Sequence, residues 1–163
     1  MSIAVKTLLI IGAGQYGMVA QEIATELGYE RIEFLDDNSP LSVGKPDDFN
    51  DFAGDIVVSI GNPDVRAKII KNLQKTNRLV SLISPRAYVS PSAKIAPGCI
   101  IEPMAVINTE ARLGTGCFIS ACAVVNHNCV LEECCHIDCN ATVMKASTVP
   151  TGMKVESNKF WGF

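Results

Sequence analysis

The sequence predicts a small parallel α/β unit over residues 1–84, followed by a β-solenoid over residues 85–163. In the first half, short apolar runs alternate with amphipathic helical segments, an order typical of a parallel sheet with crossover helices. In the second half, Val, Ile or Leu occupies every sixth position from Val89 to Val155. A strict period of six fits neither an α-helix nor a simple meander. It is typical of stacked coils in which each hexad forms a short strand and a corner.

The elements of the first unit follow from its apolar pattern. Val19, Ile23 and Leu27 share one face of the first helix, and Pro63 stands where the second helix begins. We expect strands at 6–12, 32–37, 54–61 and 78–85, and helices at 18–28 and 62–77.

The hexads of the second unit contain two rows of residues. The large row is Val89, Ile95, Ile101, Ile107, Leu113, Ile119, Val125, Leu131, Ile137, Val143, Val149 and Val155. The small row lies four positions later and comprises Ala93, Cys99, Ala105, Ala111, Cys117, Ala123, Cys129, Cys135 and Ala141. Cysteine and alanine alternate freely in the small row, so we interpret its four cysteines as buried packing residues.

The other three cysteines, Cys122, Cys134 and Cys139, lie outside this row and have no assigned role. Neighbouring Cys134 and Cys135 point to opposite sides of a strand, which argues against a shared metal ion. We therefore expect no metal site.

Composition excludes several classes of function. The chain has 14 Lys and Arg against 17 Asp and Glu, without a basic run, so we expect no nucleic-acid partner. The N-terminal apolar run is too short for a membrane span and lacks a signal-peptide cleavage site. Seven cysteines without an export signal favour a reducing cytoplasm.

A glycine pattern follows the first predicted strand. Gly12, Gly14 and Gly17 open a helix, where backbone N–H groups and the helix dipole favour an anion such as a phosphate. Asp36 ends the next strand, where a carboxylate accepts hydrogen bonds from ribose hydroxyls. The pattern alone does not separate a dinucleotide from a nucleotide sugar, or either from a structural turn. The 84 residues before the hexads are too few for a two-halved dinucleotide fold.

His127 is the candidate general base. It occupies the third position of its hexad, away from both the large and the small row, so it does not fill the core. A histidine that titrates near neutrality suits removal of a proton from an attacking amine or hydroxyl. The alternative is an ordinary solvated surface histidine.

Several segments together resemble the hexapeptide-repeat acyltransferases, in the branch with sialic-acid O-acetyltransferases and UDP-amino-sugar N-acetyltransferases. These are "IIGAGQYG", "FLDDN", "SIGNPDVRAKI", the hexads and "NHNC", and the resemblance spans residues 5 to about 145. It implies a Rossmann-like nucleotide-sugar-binding domain and then a left-handed parallel β-helix with three hexads per coil, hence about four coils. It also implies acetyl-CoA as donor, a nucleotide-sugar acceptor and a homotrimer.

The resemblance also implies roles for particular residues. His127, next to Asn128, matches the catalytic base, and His136 and Ala141 match residues near acetyl-CoA. The residues that match nucleotide-sugar contacts are Gly12, Gly14, Gln15, Tyr16, Gly17, Asp36, Asp37, Gly61, Asn62 and Arg66.

Two departures from that family leave alternatives open. Related enzymes usually have an acidic residue where this chain has Asn128, so a carboxylate such as Glu102, Glu110 or Glu132 would have to support the histidine. The β-helix also ends early, which implies a C-terminally shortened member.

The competing hypotheses come from other classes. One is a non-catalytic sugar-nucleotide-binding relative that has lost the acetyl-CoA site. A second hypothesis, a nicotinamide-dependent oxidoreductase, is supported only by the glycine pattern. A β-helical carbonic anhydrase needs three histidines, and this chain has two.

Overall fold

A computed structural model describes residues 5–49, 52–73 and 78–162. The first unit contains β1 (Thr7–Ile11), α1 (Gln15–Glu26), β2 (Arg31–Leu35), β3 (Asp55–Val58), α2 (Pro63–Leu73) and β4 (Arg78–Leu79). Its four strands are parallel, in the order β2-β1-β3-β4. β1 and β3 are buried almost throughout, because α1, α2 and residues of the β-helix pack against the two sides of the sheet. The last residues of the helix expected at 62–77 lie outside the described residues.

The segment expected as one strand at 78–85 is two strands in different sheets. β4 pairs with β3, and Val80 donates its N–H to the Ile56 carbonyl at 2.9 Å. Leu82 then donates to the Cys99 carbonyl at 2.8 Å, so the chain has already entered the β-helix. The division into domains at residues 84 and 85 stays a prediction.

The second unit is a left-handed parallel β-helix of fourteen two-residue strands on three faces. Face 1 consists of β5 (Leu82–Ile83), β8 (Ile100–Ile101), β11 (Phe118–Ile119), β14 (His136–Ile137) and β17 (Lys154–Val155). Face 2 consists of β6 (Tyr88–Val89), β9 (Val106–Ile107), β12 (Val124–Val125), β15 (Thr142–Val143) and β18 (Phe160–Trp161). Face 3 consists of β7 (Lys94–Ile95), β10 (Arg112–Leu113), β13 (Val130–Leu131) and β16 (Thr148–Val149).

The predicted fold class is therefore confirmed, and the repeat is slightly longer than expected. Three strands complete one coil, so the fourteen strands make four coils and two further strands. Ile83 and Trp161 continue the large row by one hexad at each end and pack against its core.

The interior of the β-helix holds the large and small rows together in one cluster. The four cysteines of the small row are fully buried, and each thiol contacts a backbone carbonyl about one coil further along the chain. Cys99, Cys117, Cys129 and Cys135 reach the carbonyls of Gly114, Glu132, Met144 and Pro150 at 3.0 to 3.3 Å. Their interpretation as packing residues agrees with this placement.

From Gly98 onwards, every sixth residue turns a corner with a left-handed backbone. These corner positions are Gly98, Met104, Glu110, Gly116, Cys122, Asn128, Cys134, Asn140, Ala146, Gly152 and Asn158, all with φ between 56° and 80°. Two of the unassigned cysteines, Cys122 and Cys134, are therefore corner residues. Cys134 is buried against α2, while Cys122 is exposed. Cys139 is also exposed and precedes the corner at Asn140.

The α/β unit packs on face 1 of the β-helix. The outward side chains of Leu82, Ile100 and Phe118 are buried in one cluster with Ile23 and other residues of α1 and the sheet. Faces 2 and 3 carry no such cover within the described chain. Neither helix in the described part of the chain has the length and apolar character that a membrane span requires.

Candidate active site

The glycine loop joins β1 to α1, and the structural requirement for glycine differs among its three glycine positions. Gly12 has φ +106°, and a Cβ there would lie 2.9 Å from the Ser59 hydroxyl. A Cβ on Gly17 would lie 2.3 Å from the Gly12 carbonyl oxygen, so only glycine lets α1 start this close to the loop. Gly14 is the exposed N-cap of α1, and nothing lies within 4 Å of a Cβ placed on it. Gly14 and exposed Gln15 therefore form the open side of the loop, where an anion can approach the helix N-terminus.

Asp36 holds this loop in place. Its carboxylate accepts hydrogen bonds from the N–H groups of Ala13 at 2.8 Å, Asn38 at 2.9 Å and Ser39 at 3.0 Å. The bond from Ala13, helped by that from Asn38, lowers the pKa of Asp36 below its ordinary value. Three of about four lone-pair sites are thus used by the protein itself. Asp37, beside it, is exposed to solvent.

The third-strand turn contributes Gly61 and Asn62, which are both exposed. The Asn62 side-chain oxygen accepts the N–H groups of Asp64 and Val65 at 3.0 and 3.1 Å, so Asn62 caps α2. Both residues lie next to the carboxyl end of β3, the edge of a parallel sheet where ligands bind.

Arg66 corrects an expectation, because it has no exposed surface with which to contact a nucleotide sugar. Its guanidinium donates to four backbone carbonyls, those of Ile60, Gly61, Gly116 and Cys134, at 2.6 to 3.0 Å. It also lies 3.9 Å over the ring of Phe118. Burial lowers the pKa of this guanidinium. Arg66 therefore ties α2 to two corners of the β-helix.

His127 is exposed at the corner between faces 2 and 3. Its Nδ1 lies 3.0 Å from the side-chain oxygen of Asn128, and its backbone N–H donates to the Asn126 side-chain oxygen at 2.8 Å. A carbonyl oxygen only accepts, so the bond to Asn128 keeps the ring proton on Nδ1 and leaves the Nε2 lone pair available. Asn128 has φ +60°, a conformation that asparagine adopts more readily than most residues.

Strand register identifies which carboxylate shares the corner of His127. Glu102 is buried and accepts the Ala121 N–H, and Glu132 accepts both the N–H and the hydroxyl of Thr151. Glu110 occupies the corner position one coil before Asn128, because β9 and β12 pair in register. Of the three candidates, Glu110 is therefore the one at this corner.

His136 lies on a different part of the prism. It is on face 1, with Nε2 3.0 Å from the Ser120 hydroxyl and its ring edge-on to Phe118 at 5.8 Å. Burial lowers the pKa of His136 to about 4, although the charge of Asp138 acts in the opposite direction. The ring is therefore neutral at physiological pH. Within one chain, His136 and His127 are not brought together.

Ala141 lies in the interior of the β-helix. It is fully buried in the β-helix core with the rest of the small row. Its N–H donates to the Asp138 carbonyl at 3.0 Å, and its carbonyl accepts from Val124 at 2.9 Å. The contact of Ala141 with acetyl-CoA stays a prediction.

Tyr16 points away from the open side of the loop. Its ring stacks on Phe118 with centroids 4.4 Å apart, under α1. Its hydroxyl is buried beside the side chains of Ser120 and Glu102. Burial raises the pKa of Tyr16 well above its ordinary value, and the charge of Glu102 adds to the effect.

A cleft of about 550 Å³ lies one coil beyond His127. Its walls are residues 145–148 and 160–162. The cleft lies on the coil next to that of His127, because Ala146 donates its N–H to the His127 carbonyl at 3.0 Å. Trp161 is held there by a 2.8 Å hydrogen bond from its ring N–H to the Thr148 carbonyl. In the described part of the chain, no group of His, Cys, Asp and Glu side chains is arranged to hold a metal ion.

Sequence reasoning missed Ser120, the cleft residues and the interdomain role of Tyr16. The 18-residue coil register would have placed Glu110 beside Asn128, since three hexads make one coil. No local motif distinguishes Ser120 or the cleft from other hexads.

Comparisons with known proteins identify the family and agree with the fold. The family described as the PglD N-terminal domain matches residues 7–73. The acetyltransferase domain of PglB from Neisseria gonorrhoeae FA1090, solved in complex with acetyl coenzyme A, is 30% identical with a TM-score of 0.82. The match covers 96% of this chain and 85% of that domain. The chain belongs to the hexapeptide-repeat sugar acetyltransferases.

Two further members of the fold are more distant. A histidine-to-alanine variant of GDP-perosamine N-acetyltransferase from Caulobacter crescentus, in complex with CoA and GDP-perosamine, is 22% identical with a TM-score of 0.76 and coverage of 98% and 93%. WeeI from Acinetobacter baumannii AYE is 16% identical with a TM-score of 0.63 and coverage of 95% and 88%. At these identities both show the shared fold of the hexapeptide-repeat sugar acetyltransferases.

Proposed function

We propose that this protein transfers an acetyl group from acetyl-CoA to an amine or hydroxyl of a nucleotide-linked sugar or sialic acid, with His127 as general base. The observation that carries the proposal is the exposed His127 ring, whose Nδ1 is held by Asn128 while Nε2 is left to accept a proton. The 30% identity to a domain solved with acetyl coenzyme A supports the choice of donor.

The chemistry is direct attack on the thioester. Nε2 of His127 takes the proton from the acceptor nitrogen or oxygen as that atom bonds to the acetyl carbonyl carbon. The resulting oxyanion is stabilised by a nearby N–H donor. Its collapse breaks the C–S bond, and the leaving thiolate receives the proton from the imidazolium.

The acceptor binds at the glycine loop. Gly14 and Gln15 offer the open N-terminus of α1 to the diphosphate. Exposed Asp37, Gly61 and Asn62 lie at the same edge of the sheet and contact the nucleoside or the sugar. Asp36 acts through the loop conformation that it maintains.

The donor binds in the cleft beyond His127. The side chains of Phe160 and Trp161 offer an apolar wall for the pantetheine arm, and Lys145 supplies a positive charge for a phosphate. The cleft lies one coil beyond His127, so a donor bound there can present its thioester near Nε2.

The working enzyme is a homotrimer. His127 is on the corner between faces 2 and 3, whereas the glycine loop lies over face 1, so one chain does not bring base and acceptor together. A neighbouring copy packed along face 2 supplies the missing half of each site. Seven free cysteines in the described chain favour the cytoplasm as its compartment.

The test is a free-thiol release assay with acetyl-CoA and a panel of UDP-, CMP- and GDP-linked sugars. We expect His127→Ala to lower kcat by about 10²- to 10⁴-fold, because a positioned general base contributes that much. Its melting temperature stays unchanged, since the ring is exposed. The matched control is Lys159→Ala, an exposed residue outside the cleft, which keeps the wild-type rate.

Full activity of His127→Ala would contradict the assignment of the base. Calorimetric titration separates the enzyme from a non-catalytic relative. An enzyme binds both the nucleotide sugar and CoA, whereas a binding protein without a donor site binds the nucleotide sugar alone.

A further inference from the structure

The ring of His136 on face 1 has two polar side chains beside the same nitrogen. Its Nε2 lies 3.0 Å from the Ser120 hydroxyl and 3.9 Å from Oδ1 of Asp138. Asp138 is fixed in turn, because its Oδ1 accepts the Cys139 N–H at 2.8 Å and its Oδ2 lies 3.0 Å from Lys154 Nζ. A carboxylate with a set position therefore stands beside one nitrogen of the ring.

The charge of Asp138 selects the nitrogen that carries the ring proton. Burial acts to raise the pKa of Asp138, but the bond from Lys154 and the N–H of Cys139 outweigh it and lower the pKa to about 2, so the carboxylate is charged at pH 7. Burial lowers the pKa of His136 to about 4, so its ring is neutral at this pH and carries one proton. On Nε2 that proton faces the carboxylate, whereas an Nε2 lone pair would be repelled by it. The charge therefore favours the Nε2–H tautomer and leaves the lone pair on Nδ1.

Ser120 favours the same tautomer. A serine hydroxyl has one proton to donate, and its oxygen can also accept. Burial raises the pKa of Tyr16, and the Ser120 hydroxyl beside it acts in the opposite direction, as expected of a donor to the phenol oxygen. With its proton directed to Tyr16, the Ser120 oxygen is left to accept the Nε2–H of His136.

Nδ1 of His136 is the ring nitrogen left for a ligand. It has no hydrogen-bond partner among the described residues, and it is not one of the buried polar atoms that lack a partner. The His136 side chain is 20% exposed, so the ring is not sealed inside the protein. An open lone pair on a neutral ring accepts a hydrogen bond and cannot donate one.

We propose that Asp138 is a positioning residue that holds His136 in the Nε2–H tautomer, so that Nδ1 accepts a hydrogen bond from an N–H or O–H group of a bound substrate. The inference deepens the function proposed above and rests on it. The acetyl carbonyl of the donor only accepts hydrogen bonds, so it is not the partner of this ring. The groups that fit are the amide N–H groups of the pantetheine arm and the amine or hydroxyl of the acceptor sugar.

The first test is the tautomer itself, measured by NMR at pH 7 on ¹⁵N-histidine-labelled protein. The chain has two histidines, so a His127→Ala sample identifies the signals of His136. In the wild type we expect a protonated Nε2 and an unprotonated Nδ1. Asp138→Asn keeps an oxygen for the Cys139 N–H but removes the charge, and we expect it to populate both tautomers.

Two matched controls separate the charge of Asp138 from its place in the ion pairs. Glu156→Gln makes the same chemical change at the equivalent position one coil further along, because β14 and β17 pair in register. Lys154→Met removes the cation that bonds to Asp138 but keeps the carboxylate. Both variants should keep His136 in the Nε2–H tautomer.

The second test identifies the ligand group. Saturating CoA and, separately, each nucleotide sugar that supports acetyl transfer are added to the labelled protein, and the ligand that donates to Nδ1 lowers its ¹⁵N chemical shift. A response to CoA points to a pantetheine amide, and a response to the nucleotide sugar points to the acceptor. Asp138→Asn should weaken binding of that ligand and lower kcat/KM by about two- to tenfold, because only part of the population has the competent tautomer. Glu156→Gln should match the wild type in both.

The outcomes separate this inference from the proposed function. An Nδ1–H tautomer in the wild type, or an Asp138→Asn variant that keeps the Nε2–H tautomer alone, overturns the role of Asp138. A protein that binds both substrates without a change at Nδ1 overturns the ligand contact. A protein that binds neither CoA nor a nucleotide sugar and transfers no acetyl group overturns the proposed function and the ligand contact with it, while the tautomer measurement still decides the role of Asp138.

Discussion

His136 and Asp138 show how the fold changes individual titrating groups. Lys154 donates to the carboxylate of Asp138 at 3.0 Å. Burial acts to raise the pKa of Asp138, but this bond and the N–H of Cys139 outweigh it and lower the pKa to about 2. His136, more enclosed and close to the positive charges of Lys154 and Arg66, has its pKa lowered to about 4. Folding therefore favours the unprotonated form of both residues.

The neutral His136 predicts an acid-sensitive stability. Its folded pKa of about 4 lies below its ordinary value of 6.5, so between these values the unfolded chain binds a proton that the folded protein does not. Its contribution is complete above pH 6.5 and is lost as the pH falls toward 4. We expect about 2 kcal/mol less stability at pH 5 than at pH 7, measured by urea unfolding at fixed protein concentration.

His136→Gln removes the titrating group and should flatten this pH window, whereas His127→Gln, at an exposed position, should leave it in place. Asp138 loses its contribution only below about pH 4, outside the window compared. An equally steep loss of stability in His136→Gln would refute the assignment to His136.

At the scale of elements, the corners between successive strands require a residue with positive φ, and this requirement recurs every six residues. Eleven of the thirteen corners between these strands have a residue with φ between 56° and 80°, and three of the eleven are glycine and three asparagine. Most L-residues pay about 1–2 kcal/mol for this conformation, and asparagine adopts it more readily because its short amide bonds locally. The positive φ required at this corner explains why an asparagine, Asn128, follows the candidate base His127.

Met104 is a corner residue with φ +63° and a side chain that is 63% exposed. Met104→Asn removes little buried apolar surface and relieves the backbone. We expect it to stabilise the protein by up to about 1 kcal/mol in urea unfolding. Met153→Asn is the control, because Met153 is similarly apolar but has no positive φ and should show no gain. Equal effects of the two substitutions would argue against backbone strain as the cause.

At the scale of the whole molecule, the two units leave one apolar face uncovered. Face 1 lies under the α/β unit, and face 3 presents the charged side chains of Lys94 and Arg112. On face 2 the outward column begins with Tyr88 and ends with Phe160, which are 56% and 72% exposed. Exposed apolar patches often mark protein interfaces, and this face adjoins the corner of His127.

If the protein is the homotrimer proposed above, Val124→Lys, in the middle of face 2, should dissociate it and abolish the proposed acetyl transfer, because the substitution places a charge in the proposed interface. Val130→Lys makes the same change at the equivalent outward position of face 3 and should leave the proposed trimer intact. Light scattering coupled to size exclusion measures the mass of each variant. A trimeric Val124→Lys protein would show that face 2 is not the interface.

Much of the fold could be predicted because its signals are local and repeated. Each hexad repeats the same pattern of large and small residues. The glycines of the loop follow a strand and precede a helix. The errors arose where a residue's neighbours come from distant coils. The buried contacts of Arg66 reach Gly116 and Cys134, far away in sequence.

The amino-acid sequence is enough to predict the order of the two units, the coil period, the glycine loop and the histidine outside the core rows. These features can be predicted because strand periodicity, glycine conformation and side-chain size act within a few residues of one another. The packing of the α/β unit on face 1, the burial of His136 on a different face from the corner of His127, and the stacking of Tyr16 on Phe118 are seen only in the folded molecule. These features depend on which coil lies under which helix, and burial and electrostatics act between groups that only folding brings together.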